Sequence, residues 1–150
     1  GLVVMRKGKP WVLEASGRVA MNRLARFARR GVGRRVVIKR VKGGLTRVQK
    51  RRLVKAGRKH LGVGYDGRFG WSDRRMYCSE LVWKAYRRGP HMTLASPETM
   101  GDLYSPYNPV VRAFARRVYG KRLPLKELIV TPKRLLDSDK LETVYDDTWF

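Results

Sequence analysis

The sequence contains one cysteine, and the position of that residue is typical of a nucleophile. Cys78 is predicted in the first turn of a helix, directly after a polar, glycine-bearing loop over 62–76. The exposed N–H groups and the dipole of a helix N-terminus stabilise a thiolate, which is the reactive form of cysteine. Nearby Arg74 and Arg75 would act in the same direction. A lone cysteine is also often a small buried hydrophobic residue, and position alone leaves both interpretations open.

A thiolate nucleophile usually needs an imidazole partner, and neither histidine of the chain is placed to serve Cys78. His91 follows Cys78 by 13 residues and lies beyond the far end of the same predicted helix. At ~1.5 Å per helical residue, it stands roughly 15 Å or more away. His60 ends the preceding helix and is expected to be solvated or to cap that helix. From the residues alone, the predicted nucleophile has no base.

No motif for a metal or cofactor accompanies the cysteine. A single cysteine excludes an intramolecular disulfide and any zinc site that needs two thiolates. The sequence contains no dinucleotide-binding glycine motif, no Walker motif and no paired-histidine spacing. No apolar run approaches the ~20 residues that cross a bilayer as a helix. We therefore expect no metal and no cofactor.

The elements that must position Cys78 are strands and helices in irregular order. Thr46-x-x-Gln49 has the form of a capping box, which predicts a helix start, and Gly89-Pro90 ends the helix of Cys78. Interspersed strands and helices without regular alternation are typical of the α+β class. We predict strands over 1–5 and 11–15 that pair as an opening hairpin. Further strands are predicted over 35–41, 124–130 and 141–145, and helices over 21–30, 46–61, 77–88, 108–118 and 132–136.

Positive charge is concentrated in the first part of the chain. The 35 Lys and Arg residues outnumber 12 Asp and Glu, for a formal net charge of +23. Residues 1–60 hold 20 of these cations and a single acid, Glu14. Such a charge attracts polyanions, so residues 18–59 could bind an anionic surface: a membrane, a wall polymer or nucleic acid. The alternative is a solvated helical face.

Several short motifs together resemble one enzyme family. These are Gly1-Leu2-Val3-Val4, Trp11-Val12-Leu13-Glu14-Ala15, Tyr65-Asp66, Tyr77-Cys78-Ser79-Glu80-Leu81-Val82 and the tail 124–132. The set resembles the circularly permuted NlpC/P60 papain-like cysteine hydrolases, in the YiiX/YebB-like branch. The resemblance extends from Gly1 to about Tyr145, and the run around Cys78 is its most specific part.

The resemblance implies a fold and a set of site residues. The fold would be an antiparallel sheet packed against helices, with the nucleophile at a helix N-terminus and residues 1–150 in a single domain. Cys78 would be the nucleophile and Glu14 the residue that holds the imidazole. The alternatives for Glu14 are a strand carboxylate that faces solvent and simple pairing with one of the surrounding cations. Tyr65, Asp66 and Tyr77 would line the substrate cleft, although packing within the loop is an alternative for all three.

The histidine is where this sequence departs from the family pattern. In the family, a Ser-His-Val-Gly motif supplies the imidazole, and aligned on this chain that motif ends at Gly1. The resemblance therefore implies a chain truncated before the catalytic histidine. As it stands, the chain is expected to be inactive or nearly so, since proton transfer contributes ~10²–10⁴-fold to the rate.

Three hypotheses on function follow from these observations. The first is a cysteine hydrolase, an amidase, peptidase or acyl-ester hydrolase, whose substrates are amides or esters of cell-wall peptides or of lipids. The second is a basic module that binds a polyanion. The third is a catalytically dead relative of the hydrolases.

Overall fold

A computed structural model describes residues 1–104 and 108–147 of the chain. The strands are β1 (Leu2–Arg6), β2 (Lys9–Ser16), β3 (Arg18–Arg23), β4 (Val37–Val41), β5 (Gly64–Tyr65), β6 (Arg75–Met76), β7 (Glu98–Thr99), β8 (Leu128–Ile129) and β9 (Leu141–Asp146). The helices are α1 (Leu24–Ala28), α2 (Arg47–Arg58), α3 (Cys78–Arg88), α4 (Met100–Leu103), α5 (Pro109–Tyr119) and α6 (Pro132–Leu136), with a 3₁₀ turn at Val32–Arg34.

The main sheet has five strands in the order β1-β2-β3-β5-β6. Its first two strands form the predicted hairpin, in which Leu2 pairs with Leu13. Lys7 and Gly8 connect them with φ values of 48° and 70°, as a two-residue turn that matches the strand twist requires. All pairings in this sheet are antiparallel except that of β5 with β6. The predicted α+β class, with an antiparallel sheet against helices, is confirmed.

The prediction of a helix over 21–30 is wrong in its first part. Met21 belongs to β3 and pairs with Leu13 of β2, and only Leu24–Ala28 form a helix. The apolar spacing in this segment suits a helix, but pairing with the buried strand β2 decides the conformation. Tertiary context here overrides local propensity.

Helix α2 begins at the predicted capping box. The N–H of Gln49 donates to Thr46 Oγ1 at 3.2 Å, and the N–H of Thr46 donates to Gln49 Oε1 at 2.9 Å. The helix ends at Arg58, three residues before the predicted end. Strand β4, which precedes α2, pairs with β9 in a separate two-stranded sheet, so both of these strand predictions are confirmed.

The second half of the chain contains several very short strands. The predicted strand over 124–130 shrinks to β8, which pairs with β7. Strands β5, β6 and β7 and the single-turn helix α4 have no counterpart among the predictions. Two-residue strands leave no alternation in a sequence, so hydrophobic periodicity cannot reveal them. Helices α5 and α6 are confirmed. No helix of the described ranges is long and apolar enough to span a membrane.

The main core lies between the sheet and the helix pair α2–α3. Leu13, Leu53, Leu81 and Ala85 are buried together there. The two helices approach closely at Gly89, where an added Cβ would lie 2.7 Å from Leu53 Cα and 2.8 Å from two carbonyl oxygens. A second, smaller cluster buries Tyr77, Met100, Ile129 and Val130.

The close approach at Gly89 yields a stability prediction. We expect Gly89→Ala to lower the free energy of unfolding by about 1–3 kcal/mol, because the added methyl group overpacks rigid backbone. Gly67→Ala is the matched control, since a Cβ at Gly67 meets nothing within 4 Å. Urea unfolding of both variants is the measurement. Equal stability of the two variants would contradict the close packing of α2 on α3.

Candidate active site

Cys78 is the first residue of α3 and is half-buried. The chain reaches it in extended conformation, with Tyr77 at φ −96° and ψ 167°. The first N–H groups of an α-helix have no partner within the helix, so those of the first turn of α3 are free to face an anion beside the thiol. The predicted placement at a helix N-terminus is confirmed.

A buried carboxylate fixes the start of this helix. Glu80 Oε2 accepts a hydrogen bond of 3.2 Å from the N–H of Tyr77, and Glu80 Oε1 lies 2.6 Å from the ammonium of Lys84. Both side chains are almost completely buried. Burial raises the pKa of Glu80 to about 7, against the opposing effects of Lys84 and of the Tyr77 N–H.

Lys84 connects α3 to the loop before Cys78. Its ammonium lies 2.9 Å from Asp73 Oδ1 and donates to the carbonyl oxygen of Ser72 at 3.3 Å. Arg88 donates to both oxygens of Asp73, at 2.7 and 3.0 Å. Hydrogen bonds from Arg88 and Lys84 hold the pKa of Asp73 well below its usual range. The loop is therefore tied to the nucleophile helix by charge-assisted hydrogen bonds.

Glu14 is a buried carboxylate on β2. Its Oε1 accepts a hydrogen bond of 2.9 Å from Asn22 Nδ2 and forms an ion pair with Arg30. Glu14 Oε2 takes part in neither contact, so one oxygen remains for a further donor. The sequence offered no signal for Asn22, which reaches Glu14 only because β2 pairs with β3. Pairing of Glu14 with a cation such as Arg30 is expected, because Glu14 is the single acid among the many cations of residues 1–60.

Gly1 lies between Cys78 and Glu14. Its amino group is buried, and burial lowers the pKa of that amine, while the nearby Cys78 and Glu14 act to raise it. The β1–β2 register, in which Leu2 faces Leu13, places Gly1 opposite Glu14. Side chains alternate along a strand, so a residue two positions before Gly1 would share the face of Glu14. Cys78 and Glu14 are thus both near Gly1, where the chain enters β1.

Tyr65 is the third residue that the structure brings to this place. It lies on β5 and pairs with Met76 of β6, and Met76 stands two residues before Cys78. The Tyr65 side chain is close enough to Cys78 for the thiol to affect the pKa of its phenol. Burial and the neighbouring Cys78 and Asp66 raise the pKa of the Tyr65 phenol, so the hydroxyl keeps its proton and can donate it.

The other two predicted substrate residues, Asp66 and Tyr77, are buried and hydrogen-bonded to the backbone. Asp66 is buried and accepts hydrogen bonds of 2.9 Å from the N–H groups of Arg68 and Gly70, which shape the loop. Tyr77 is buried, and its hydroxyl accepts a hydrogen bond of 3.1 Å from the N–H of Val130. Contact of either residue with substrate stays a prediction.

The two histidines stand apart from these residues. His60 is buried rather than solvated, 3.4 Å from a guanidinium nitrogen of Arg88. It lines a cavity of about 670 Å³ with Asp73, Arg88 and His91. Burial, together with Arg88 and other nearby cations, lowers the pKa of His60, while Asp73 acts to raise it. The expectation that neither histidine serves Cys78 agrees with this placement.

Gly1, Cys78 and Ser79 line a large open groove of about 1750 Å³. Strands β1 and β4 and helices α2 and α6 contribute apolar side chains to its walls. Ser79 Oγ is buried without a hydrogen-bond partner in the described ranges. The site therefore combines a thiol at a helix N-terminus, a hydroxyl donor, a held carboxylate and an apolar groove, which is a set suited to acyl transfer.

Comparison with known proteins places this geometry in a family context. A model of the permuted papain-like amidase enzymes, YaeF/YiiX, C92 family, matches residues 1–145. The uncharacterized protein YiiX of Escherichia coli (strain K12) is 37% identical over 144 residues, which cover 96% of this chain and 71% of that protein. A crystal structure of YiiX from Escherichia coli O157:H7 superposes with a TM-score of 0.93 at 37% identity, covering 98% of this chain and 81% of that one.

The crystallised YiiX is described as a metalloprotein. In this chain, no three metal-binding side chains of the His, Cys, Asp or Glu type come together within the described ranges. The donor set near Cys78 is one thiol and one carboxylate, and Asn22 and Arg30 already engage that carboxylate. The described residues therefore do not form a metal site.

The raised pKa of Glu80 yields a prediction on stability. Some groups have a higher pKa in the folded chain than in the unfolded chain. Such a group stabilises the folded chain fully at pH values below its pKa in the unfolded chain, and this stabilisation is lost as the pH rises to its pKa in the folded chain. As pH rises from 4.5 to about 7, the unfolding free energy of the wild type should therefore fall relative to that of Glu80→Gln. The fall should approach about 3 kcal/mol, from ~1.4 kcal/mol per pKa unit.

Urea unfolding across this pH interval measures the effect. Glu142→Gln is the control, because that carboxylate is half-exposed and pairs with Arg40 on the surface. The raised pKa of Glu80 would be contradicted if the unfolding free energies of the wild type and of Glu80→Gln kept a constant difference across this interval. It would also be contradicted if the unfolding free energy of the wild type rose relative to that of the variant.

Proposed function

We propose that this chain, which belongs to the YaeF/YiiX family of permuted papain-like amidases, hydrolyses amides or esters through the Cys78 thiolate. Membership makes it a papain-like hydrolase in general terms. The observation that carries the catalytic assignment is the position of Gly1, which stands opposite Glu14 in the β1–β2 register and lines the groove of Cys78. A residue that precedes Gly1 would therefore lie near both Cys78 and Glu14.

The proposed base is the histidine of the His-Val-Gly sequence that the resemblance aligns to end at Gly1. It would stand two positions before Gly1 and so on the face of Glu14. In that register the histidine is a diagonal neighbour of Glu14, about 7–8 Å away between Cα atoms, a distance that two long side chains bridge. Glu14 Oε2 would then accept the imidazole N–H and orient the ring.

The reaction follows the usual course of a cysteine hydrolase. The Cys78 thiolate attacks the carbonyl carbon, and the carbonyl oxygen becomes an oxyanion. The imidazolium gives its proton to the leaving amine or alcohol as the carbon–nitrogen or carbon–oxygen bond breaks, which leaves an acyl-thioester. Water, deprotonated by the imidazole, then attacks the thioester, and the carboxylic acid leaves as Cys78 regains its thiolate.

Two sets of groups near the thiol are the proposed donors to the oxyanion. The first N–H groups of α3 are one set, since a helix N-terminus favours negative charge. The Tyr65 hydroxyl is another, because it lies near Cys78 and its raised pKa keeps it protonated. The proposed substrates are amides or esters of cell-wall peptides or of lipids. The apolar groove beside Cys78 favours an acyl group with a substantial apolar portion.

A prediction tests the proposed base directly. Protein in which Ser-His-Val precedes Gly1 should hydrolyse acyl p-nitroanilides or p-nitrophenyl esters ~10²–10⁴-fold faster than protein preceded by Ser-Ala-Val, because general acid–base catalysis contributes this much. The 150-residue chain alone should match the alanine form. Cys78→Ala in the histidine form should reduce hydrolysis to background. Equal rates for the histidine and alanine forms would contradict the proposal and favour a catalytically dead relative.

A second prediction concerns the Tyr65 hydroxyl. In the histidine form, Tyr65→Phe should lower kcat/KM about 10- to 100-fold, somewhat less than the loss of a principal oxyanion donor. The measurement is the rate of hydrolysis of the same chromogenic substrates. Tyr145→Phe is the matched control, since that ring is half-exposed on β9 and should leave the rate unchanged. An unchanged rate in Tyr65→Phe would remove the hydroxyl from the mechanism.

A further inference from the structure

Helix α2 is a strongly cationic helix. Six of its 12 residues are Lys or Arg and none is Asp or Glu. Pairs such as Arg47 with Arg51, and Arg51 with Lys55, stand four residues apart, where like charges destabilise a helix. None of the ion pairs between described residues includes a cation of α2. Within those residues the repulsion on α2 is therefore not relieved.

These cations border an apolar surface. Lys50, Arg51, Lys55 and Arg58 line the open groove that also contains Cys78. The other walls of the groove expose large apolar side chains, among them Leu136, which is 44% exposed. A cationic row beside exposed apolar side chains is the arrangement of proteins that lie in the interface of an anionic membrane.

We propose that α2 and the adjoining groove rim form a docking surface for an anionic lipid bilayer. The cations of α2 contact phosphate groups of the lipids, and the apolar rim at α6 contacts the acyl region beneath them. The charge complementarity is long-range and sequence-independent, so it requires no specific headgroup. Docking relieves the repulsion along α2, because lipid phosphates supply the negative charge that the helix lacks.

A bilayer fits this surface better than a nucleic acid does. Single-stranded nucleic acids are usually held by aromatic side chains on which bases stack, whereas α2 contains no aromatic residue. A duplex offers phosphates but no apolar layer to cover the groove rim. Only a lipid surface complements both the cations and the exposed apolar side chains.

The location of the surface has a consequence for the proposed function. Because Cys78 lines the same groove, docking would bring the thiol to the membrane interface, where acyl amides and esters are found. This consequence rests on the proposed hydrolase activity, whereas the docking itself does not. Cys78→Ala should therefore bind vesicles as tightly as the wild type, which separates a failure of docking from a failure of catalysis.

Co-sedimentation with vesicles tests the docking surface. We expect the chain to bind vesicles of phosphatidylglycerol and phosphatidylcholine in equal parts, and to bind pure phosphatidylcholine at least tenfold more weakly. The triple variant R51Q/K55Q/R58Q should bind the anionic vesicles about 100-fold more weakly, because each basic residue near such a surface is worth about fivefold. Its matched control is R112Q/R116Q/R117Q on α5, which removes the same charge from exposed positions away from the groove.

Two further binding measurements distinguish a membrane from polyanions in general. Leu136→Glu should weaken vesicle binding at least fivefold more than Leu125→Glu, whose side chain is 49% exposed but outside the groove. A DNA duplex at the same phosphate concentration should bind more weakly than the anionic vesicles. Equal losses in the α2 and α5 triple variants would overturn the proposal, as would equal losses in the two leucine variants or tighter binding of DNA.

Discussion

The geometry of the site depends on one buried ion pair, that of Glu80 with Lys84. Burying two charges costs more than their mutual attraction returns unless further hydrogen bonds satisfy them. Here those bonds come from the N–H of Tyr77 on one side and from Ser72 and Asp73 on the other. The ion pair is therefore stable only when the segment before Cys78, the first turn of α3 and the loop over 62–76 are all folded. Removing Lys84 would leave the Glu80 carboxyl buried without its charge partner, two residues after the nucleophile, whereas removing Glu80 would leave Lys84 its ion pair with Asp73.

Further contacts of Lys84 and its neighbours hold the glycine-bearing loop before Cys78 against α3. Lys84 also lies over the ring of Trp71, 5.2 Å from its centroid, and Trp71 meets Trp83 edge-to-face at 5.2 Å. The N–H of Trp71 donates to Glu127 Oε1 at 2.8 Å, which connects the loop to the chain near β8. The loop is thus fixed at several points to α3, and through β5 it carries Tyr65 to the thiol. A rigid helix and a fixed loop are what pre-organised donors for an oxyanion require.

Local sequence signals predicted the elements that depend on neighbouring residues, but not the contacts that depend on long-range strand pairing. The start of α3, the capping box at Thr46 and the opening hairpin follow from residues adjacent in sequence, and all three are confirmed. Strands β5 and β6, which place Tyr65 next to Cys78, are too short to produce a period. The partners of Glu14 depend on long-range pairing of β2 with β3, which local propensity assigned in part to a helix. The i, i+4 spacing of Glu80 and Lys84 was a readable sign of an ion pair, but not of its burial.

The distribution of acids connects the site to the surface. Glu14 is the single acid among the first 60 residues, and it is buried with Asn22 and Arg30 as its partners. No acid from that part of the chain is then left for the cations of α2, and the later acids Asp73 and Glu80 are engaged by Lys84 and Arg88. None of the ion pairs between described residues neutralises a cation of α2. The same scarcity of acids that gives Glu14 its defined environment leaves the groove rim positively charged, and the proposed membrane docking depends on that charge.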